Sequence, residues 1–314
     1  MKLFLKWIVG LAAALVLALS SHAQERELKI GVVTLQMRAP YFVAMVRSLE
    51  AEAAKRKNVK VFVADGGGDV AKVSSDIEDL LAKGVDGLIM NISPLEALPG
   101  PMAAIRRAGK PVVLVNRKLK GGEYDAWVGV DNYAIGTGVG EAIAKHMGGR
   151  GVLMMMRGGP EDNSTGNARR DGVLSKVRNT GAQVVIAPEF GKWAEDGGIR
   201  VMEDMLAKHK LIDALFCEND AMCLGAQKAI ADAGRSREIS IFGFDGQKAA
   251  IEQIAKGTNY VGSGQNSPDV IARIGFEHLM TLIAGEKVPK DTVVPTVVIT
   301  KTNAASLLNP ASPF

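Results

Sequence analysis

From Leu28 onward, short unbroken apolar runs alternate with longer stretches in which apolar residues recur every three or four positions. The runs Leu28–Leu35, Val59–Ala64, Gly87–Ile92, Val112–Val115 and Trp127–Val130 form one series of expected strands. Val152–Met156, Gln183–Ala187, Ala214–Cys217, Ile239–Phe244 and Asn259–Ser263 form a second. They are rich in Val, Ile and Leu without clean polar alternation, the pattern of strands covered on both faces. The periodic stretches Tyr41–Lys57, Ala71–Lys83, Leu95–Ala108 and Ala221–Ala233 read as helices, and Gly84, Gly109, Gly149 and Gly234 mark helix ends. Strand–helix alternation predicts parallel sheets with right-handed crossovers. Two series predict an α/β chain of two Rossmann-like, doubly wound lobes.

A last helix, Asp269–Ala284, and a last strand, Val293–Ile299, would close the two lobes. The chain is then expected to cross between lobes three times, near Asp131, near Gln265 and between Asp291 and Pro295. The predicted division is 24–131 plus 266–292 for one lobe and 132–265 plus 293–314 for the other. Repeated crossing makes a hinge, and the cleft between lobes becomes the natural ligand site, because open α/β sheets bind ligands beyond the carboxyl ends of their strands.

Residues 1–23 have a different character. Lys2 and Lys6 precede an apolar core from Trp7 to Leu19, and Ser21-His22-Ala23 offers small residues at a cleavage site. This is the pattern of a secretory signal peptide, with a core shorter than the ~20 residues of a membrane span. An exported, monomeric protein starting near Gln24 is expected, located in the periplasm. The formal charge of +4 falls to about +2 once Lys2 and Lys6 are set aside, too little to suggest nucleic acid. The two cysteines, Cys217 and Cys223, could pair in an exported chain. Cys217 ends a strand and Cys223 falls in the following helix, so their Cβ atoms need not meet, and two buried free thiols are slightly favoured. No metal-ligand spacing or cofactor motif is present.

The carboxyl ends of the strands collect chemistry. They carry Thr34, Gln36, Arg38 and Pro40-Tyr41-Phe42; Asn116-Arg117; Asp131-Asn132; Asn163 and Arg169; Trp193; Asn219-Asp220; Phe244-Asp245; and Gln265-Asn266. Aromatic residues make up only 5% of the chain, so their presence here carries weight. Amides, carboxylates and arginines can meet hydroxyls that both donate and accept, while flat aromatic rings pack on the C–H faces of a sugar. Taken singly, Asn219, Asp220, Asp131 or Asn132 could be no more than a helix cap. Tyr41, Phe42 and Phe244 could each be core.

Taken together, Pro40-Tyr41-Phe42, Asn116-Arg117, Val130-Asp131-Asn132 with Gly136, Arg169 with Gly172, Asn219-Asp220, Gly243-Phe244-Asp245-Gly246 and Gln265 give the chain its family character. It resembles a type I periplasmic binding protein of the ribose-binding, sugar-specific branch over nearly its whole length. The resemblance implies that Phe42, Trp193, Tyr41 and Phe244 wall the ligand. Asn116, Arg117, Arg169, Asn219, Asp245 and Gln265 would ring it with hydrogen bonds, with Gln36, Arg38 and Asn163 as additional candidates. It implies capture of a sugar or polyol by hinge closure and delivery to the membrane permease of an ABC transporter. Presentation of the sugar to a chemoreceptor or sensor kinase is the alternative.

Two departures open the ligand's identity. The ribose-binding branch usually has Asp-Arg where this chain has Asn116-Arg117, and the 35–40 stretch is about two residues longer than usual. A neutral polyhydroxylated ligand is expected, with an acidic one open because Arg38, Arg117 and Arg169 could converge. A DNA-binding regulator is disfavoured because a signal-like segment stands where its reading head would be. An enzyme is disfavoured for want of a nucleophile or nucleotide motif. Gly136-Thr-Gly138-Val-Gly140 sits within a helix, where small residues allow close packing.

Overall fold

The computed structural model describes residues 26–92, 98–119, 123–160, 165–310, 312 and 314. The first series of apolar runs forms β1 (Leu28–Thr34), β2 (Val59–Asp65), β3 (Gly87–Asn91), β4 (Val112–Val115) and β5 (Ala126–Gly129). They are connected through α1 (Pro40–Ala54), α2 (Val70–Ala82) and α3 (Pro99–Arg107). The helix expected from Leu95 has its described part as α3, residues 93–97 lying outside the described residues. After α4 (Asn132–Met147) come β6 (Arg150–Arg157), α5 (Thr165–Val177), β7 (Gly181–Phe190), α6 (Glu195–Lys208) and β8 (Ala214–Cys217). Then follow α7 (Asp220–Asp232), β9 (Ser240–Asp245), α8 (Lys248–Lys256), β10 (Tyr260–Gln265) and α9 (Pro268–Ile283). The chain closes with β11 (Asp291–Val293), β12 (Val298–Thr300) and α10 (Ala304–Leu307).

Two six-stranded sheets result, ordered β11-β5-β4-β3-β1-β2 and β12-β10-β9-β8-β6-β7. The pairings are parallel except that of β10 with β12. The single last strand expected over Val293–Ile299 is two strands on different sheets. Pro295 explains the break, since it has no N–H to offer a ladder. The long helix α9 belongs with the first sheet although it follows the strands of the second: Ile271, Phe276 and Leu279 share a buried cluster with Ile30, Ile89 and Val113.

The glycines of α4 serve packing. A Cβ at Gly136 would lie 2.4 Å from the Arg169 carbonyl oxygen, one at Gly140 would lie 2.7 Å from that of Val173, and one at Gly172 would lie 2.4 Å from that of Tyr133. Contact between α4 and α5 at this distance sets where Arg169 stands. The free-thiol expectation is corrected: Cys217 and Cys223 form a disulfide with Cα atoms 5.6 Å apart, within the normal range. The tight turn between β8 and α7 brings the first turn of the helix back over the strand end, which sequence position alone did not reveal.

Candidate functional site

The carboxyl ends of the two sheets face one another across a tight cavity of about 20 Å³, room for about one water molecule. The first lobe supplies Ala39, Tyr41 and Phe42 from the start of α1, and Asn116 and Arg117 from the end of β4. Pro40 lies in the first turn of α1, where a missing N–H costs nothing, and it fixes the point from which the two rings enter. The second lobe supplies Thr165 and Arg169 from α5, Trp193 after β7, Asn219 before α7, and Asp245 at the end of β9. Asn266, on the crossing after β10, completes the lining.

At the centre lies a buried ion pair, Arg169 Nη1 to an Asp245 oxygen at 2.9 Å, with the two side chains only 2% and 5% exposed. The guanidinium makes three further contacts. Its Nε donates to the Asn132 side-chain oxygen at 2.9 Å, its Nη1 to the Glu218 carbonyl at 2.7 Å, and its plane sits 3.9 Å from the centre of the Phe244 ring. Asp245 also accepts from the Asn266 amide at 3.3 Å, and that same amide donates to the Asn116 side-chain oxygen at 3.2 Å. Asn266 therefore ties the two lobes together through the site. Burial pushes the Asp245 carboxyl above the usual carboxylate range, and the Arg169 guanidinium beside it pulls in the opposite direction.

The aromatic groups surround a second cation. Arg117 lies 5.7 Å from the Phe42 ring centre and 5.3 Å from that of Trp193. The Tyr41 ring meets Phe42 edge-on and packs against Phe314. Burial, and next the Asp245 charge, hold the Tyr41 hydroxyl well above its ordinary pKa, so it is a neutral donor and acceptor. It lies toward Asn266 without forming a well-shaped hydrogen bond, and the Trp193 indole N–H has no partner among the described residues. Buried polar atoms in this condition are where ligand hydroxyls would be satisfied.

Three lining residues hold backbone conformations that L-residues seldom adopt: Asn116 with φ 61°, Trp193 with φ 61° and Asp245 with φ 115°. Such conformations cost about 1–3 kcal/mol each and persist where the surroundings over-determine them. Trp193 shows how. Its carbonyl accepts from the Asn219 amide at 3.1 Å, and its ring fills the space a Cβ at Gly158 would take, 2.1 Å away.

Behind Asp245 stands a second buried carboxylate. Asp220 accepts from the Tyr260 hydroxyl at 2.7 Å, the Ser263 hydroxyl at 2.8 Å and the Gln247 N–H at 2.8 Å. Burial and repulsion from Asp245 push it up to about 7 despite these bonds.

Eight of the expected residues line the cavity: Tyr41, Phe42, Asn116, Arg117, Arg169, Trp193, Asn219 and Asp245. Phe244 is fully buried in the second lobe's core and supports Arg169 from behind instead of facing the ligand space. Gln265 is still within the β10 ladder, its N–H bonded to the Val297 carbonyl, and the next residue, Asn266, enters the cavity in its place. Gln36 is half-buried in the turn after β1, where its carbonyl accepts from Thr34. Arg38 is 65% exposed and meets Asp196 of the other lobe at 3.4 Å. Neither lines the cavity, and Asn163 lies outside the described residues. Sequence reading missed Ala39, Thr165 and the role of Asn266.

Residues 30–287 match the periplasmic binding protein domain family. The ribose import binding protein RbsB of Bacillus subtilis is 30% identical over 276 residues, 88% of each chain. An ABC transporter solute binding protein from Mycobacterium smegmatis, crystallised with bound glycerol, superposes with a TM-score of 0.85 at 30% identity, covering 91% of this chain and 98% of that one. The fructose-binding periplasmic domain of the hybrid two-component system BT1754 superposes with a TM-score of 0.80 at 25% identity, covering 90% and 93%.

Proposed function

The chain belongs to the periplasmic binding protein family, and from that premise we propose that it is the solute-binding component of an ABC importer, capturing a sugar or polyol between its lobes. The observation that carries this reading is the ring of Asn116, Asn266, Asp245 and Arg169, which draws on both lobes and the crossing between them, beside the aromatic walls of Phe42 and Trp193. Carboxylate and amide oxygens accept from hydroxyls, guanidinium and indole N–H groups donate, and the rings cover C–H faces. A site of this kind rejects analogues that leave its buried polar groups unpaired.

Ligand contacts made to both lobes exist only in the closed arrangement, which is what lets a ligand shift the hinge toward closure. The closed form then docks on a membrane permease. The lobes are divided at 131, 265 and 292, so that three connections flex together. Residues 1–23 direct export to the periplasm and are removed, and the protein acts as a monomer and turns nothing over. A neutral polyol is the best fit, because the Asp245 carboxylate and the Arg169 guanidinium match one another, Arg117 is stacked between Phe42 and Trp193, and the amides of Asn116, Asn219 and Asn266 suit hydroxyls. The likeness to a periplasmic domain of a two-component system supports a sensing role as the second reading.

Thermal unfolding against a panel of pentoses, hexoses, polyols and cyclitols tests the proposal. A ligand at 100 times its Kd adds about 2.7 kcal/mol to stability. One compound should raise the melt by several degrees, and Asp245→Ala should abolish that rise. A panel in which nothing binds, or in which an anionic compound binds tightest, would remove the neutral-polyol reading. Uptake of the bound sugar lost on deleting an adjacent permease gene separates transport from sensing.

A further inference from the structure

The disulfide between Cys217 and Cys223 closes a short ring, six residues apart in sequence, around the turn from β8 to α7. Both cysteines are fully buried. The entropy a cross-link removes from the unfolded chain grows with loop length, so a ring this small is a modest general stabiliser. What lies inside it is more informative. The Glu218 carbonyl accepts from Arg169 at 2.7 Å, and the Glu218 carboxylate accepts from the Gly158 N–H at 2.7 Å, on the segment whose missing Cβ admits the Trp193 ring. Asn219 caps α7 through its oxygen and holds the Trp193 carbonyl through its amide. Asp220 holds the Gln247 N–H and also the Ser263 hydroxyl, which in turn accepts from Gly246, the residue after Asp245.

Asn219 is therefore within the ring, Arg169 and Trp193 are held through its atoms, and Asp245 precedes Gly246, which is tied to Asp220 of the ring through the Ser263 hydroxyl. Two of them, Trp193 and Asp245, keep left-handed backbone conformations that persist only when the surroundings fix them. We propose that the Cys217–Cys223 disulfide is a positioning element for the second-lobe half of the ligand site: it fixes the β8–α7 turn, and the turn fixes the guanidinium, the indole and the two strained backbones. The consequence for affinity rests on the sugar-binding reading above, while the consequence for Trp193 does not.

The test compares C217A/C223A with Ile143→Ala, a fully buried core change on α4 of the same lobe, with the effect on melting temperature recorded for both. The probe is the 15N indole resonance of Trp193 in the full chain, assigned through Trp193→Phe. C217A/C223A is expected to shift and broaden that resonance and to weaken the best sugar of the panel at least tenfold. Ile143→Ala should do neither at a comparable loss of melting temperature. An unchanged indole resonance in C217A/C223A, or the same change in Ile143→Ala, overturns the proposal. If no sugar binds the wild-type protein, the functional reading fails and the resonance still decides this one. C217V/C223A, which keeps the buried volume closer, takes the double alanine's place should that variant not fold.

Discussion

Replacing Arg169 by Met removes a cation that the fold has almost fully enclosed. The side chain of methionine fills much of the same space above Phe244, so the main loss is electrostatic. Asp245 would keep the Asn266 amide but lose the guanidinium 2.9 Å away, and the Glu218 carbonyl and Asn132 oxygen would each lose a donor. Removing one member of a buried ion pair costs about 3–5 kcal/mol, because the remaining charge is stranded. At roughly 2–4 °C per kcal/mol for a chain of this size, the melt should fall by roughly 6–20 °C at pH 8.

The pH dependence identifies the cause. In the folded wild type Asp245 already sits above the usual carboxylate range, and without the guanidinium its proton affinity rises further. Between its unfolded and folded pKa values the folded variant then holds a proton that the unfolded chain does not, so the variant's stability falls as pH rises. The gap between wild type and Arg169→Met should therefore narrow from pH 8 to pH 5, and adding Asp245→Asn should recover much of it. Urea unfolding followed by circular dichroism at both pH values measures this. A gap below about 1 kcal/mol, or one that is equal at pH 5 and pH 8, refutes the stranded-charge account.

Asp220, pushed up to about 7 by burial and by Asp245, supplies its own linkage: its burial penalty is fully present above pH 7 and is relieved as pH falls from about 7 toward 4. Asp220→Asn should flatten that part of the stability profile, and a slope unchanged in the variant would rule Asp220 out as its source. Gly158→Ala, whose Cβ would lie 2.1 Å from the Trp193 ring, should weaken sugar binding by tenfold or more in calorimetry; affinity within twofold of wild type would mean that the ring's seat does not matter. Asn266→Ala cuts the bridge between Asn116 and Asp245, so small-angle scattering of the ligand-free protein should show a larger radius of gyration than wild type, and an equal radius would contradict its role as a clasp.

The parts of the fold that could be read from sequence are those set by burial and chain punctuation. Strands covered on both faces leave unbroken Val/Ile/Leu runs, and the positions just beyond them are where Asn116, Arg117, Trp193, Asn219 and Asp245 lie. Gly136 and Gly140 were legible as packing residues because nothing else explains small side chains at that spacing in a helix. What escaped depends on direction. Gln265 and Asn266 are neighbours, and which one enters the cavity turns on where the ladder of β10 ends. Phe244 and Asp245 divide in the same way between core and site. The cysteine pair depended on the path of one turn, and the meeting of Arg38 with Asp196 on the geometry between lobes. Glu218 carried a usable signal, since it stands at the same strand end that drew attention to Asn219, yet its role is to hold other residues and so has no motif of its own.

The placement of α9 and β11 bears on how the chain reaches this structure. Ile271, Phe276 and Leu279 fill the core of the first sheet, and β11 completes that sheet's edge beside β5, yet both are made after every parallel strand of the second. A nascent chain emerging amino-terminus first would therefore hold its first sheet incomplete, with an open apolar face, until about residue 290 was free. Once residue 265 is free the second sheet lacks only its antiparallel edge strand β12, so its parallel part can condense before the first sheet is complete although it is synthesised later. The nested order raises the mean sequence separation of contacts, which slows folding, and it leaves the first lobe the longer exposed to aggregation or to a holding chaperone.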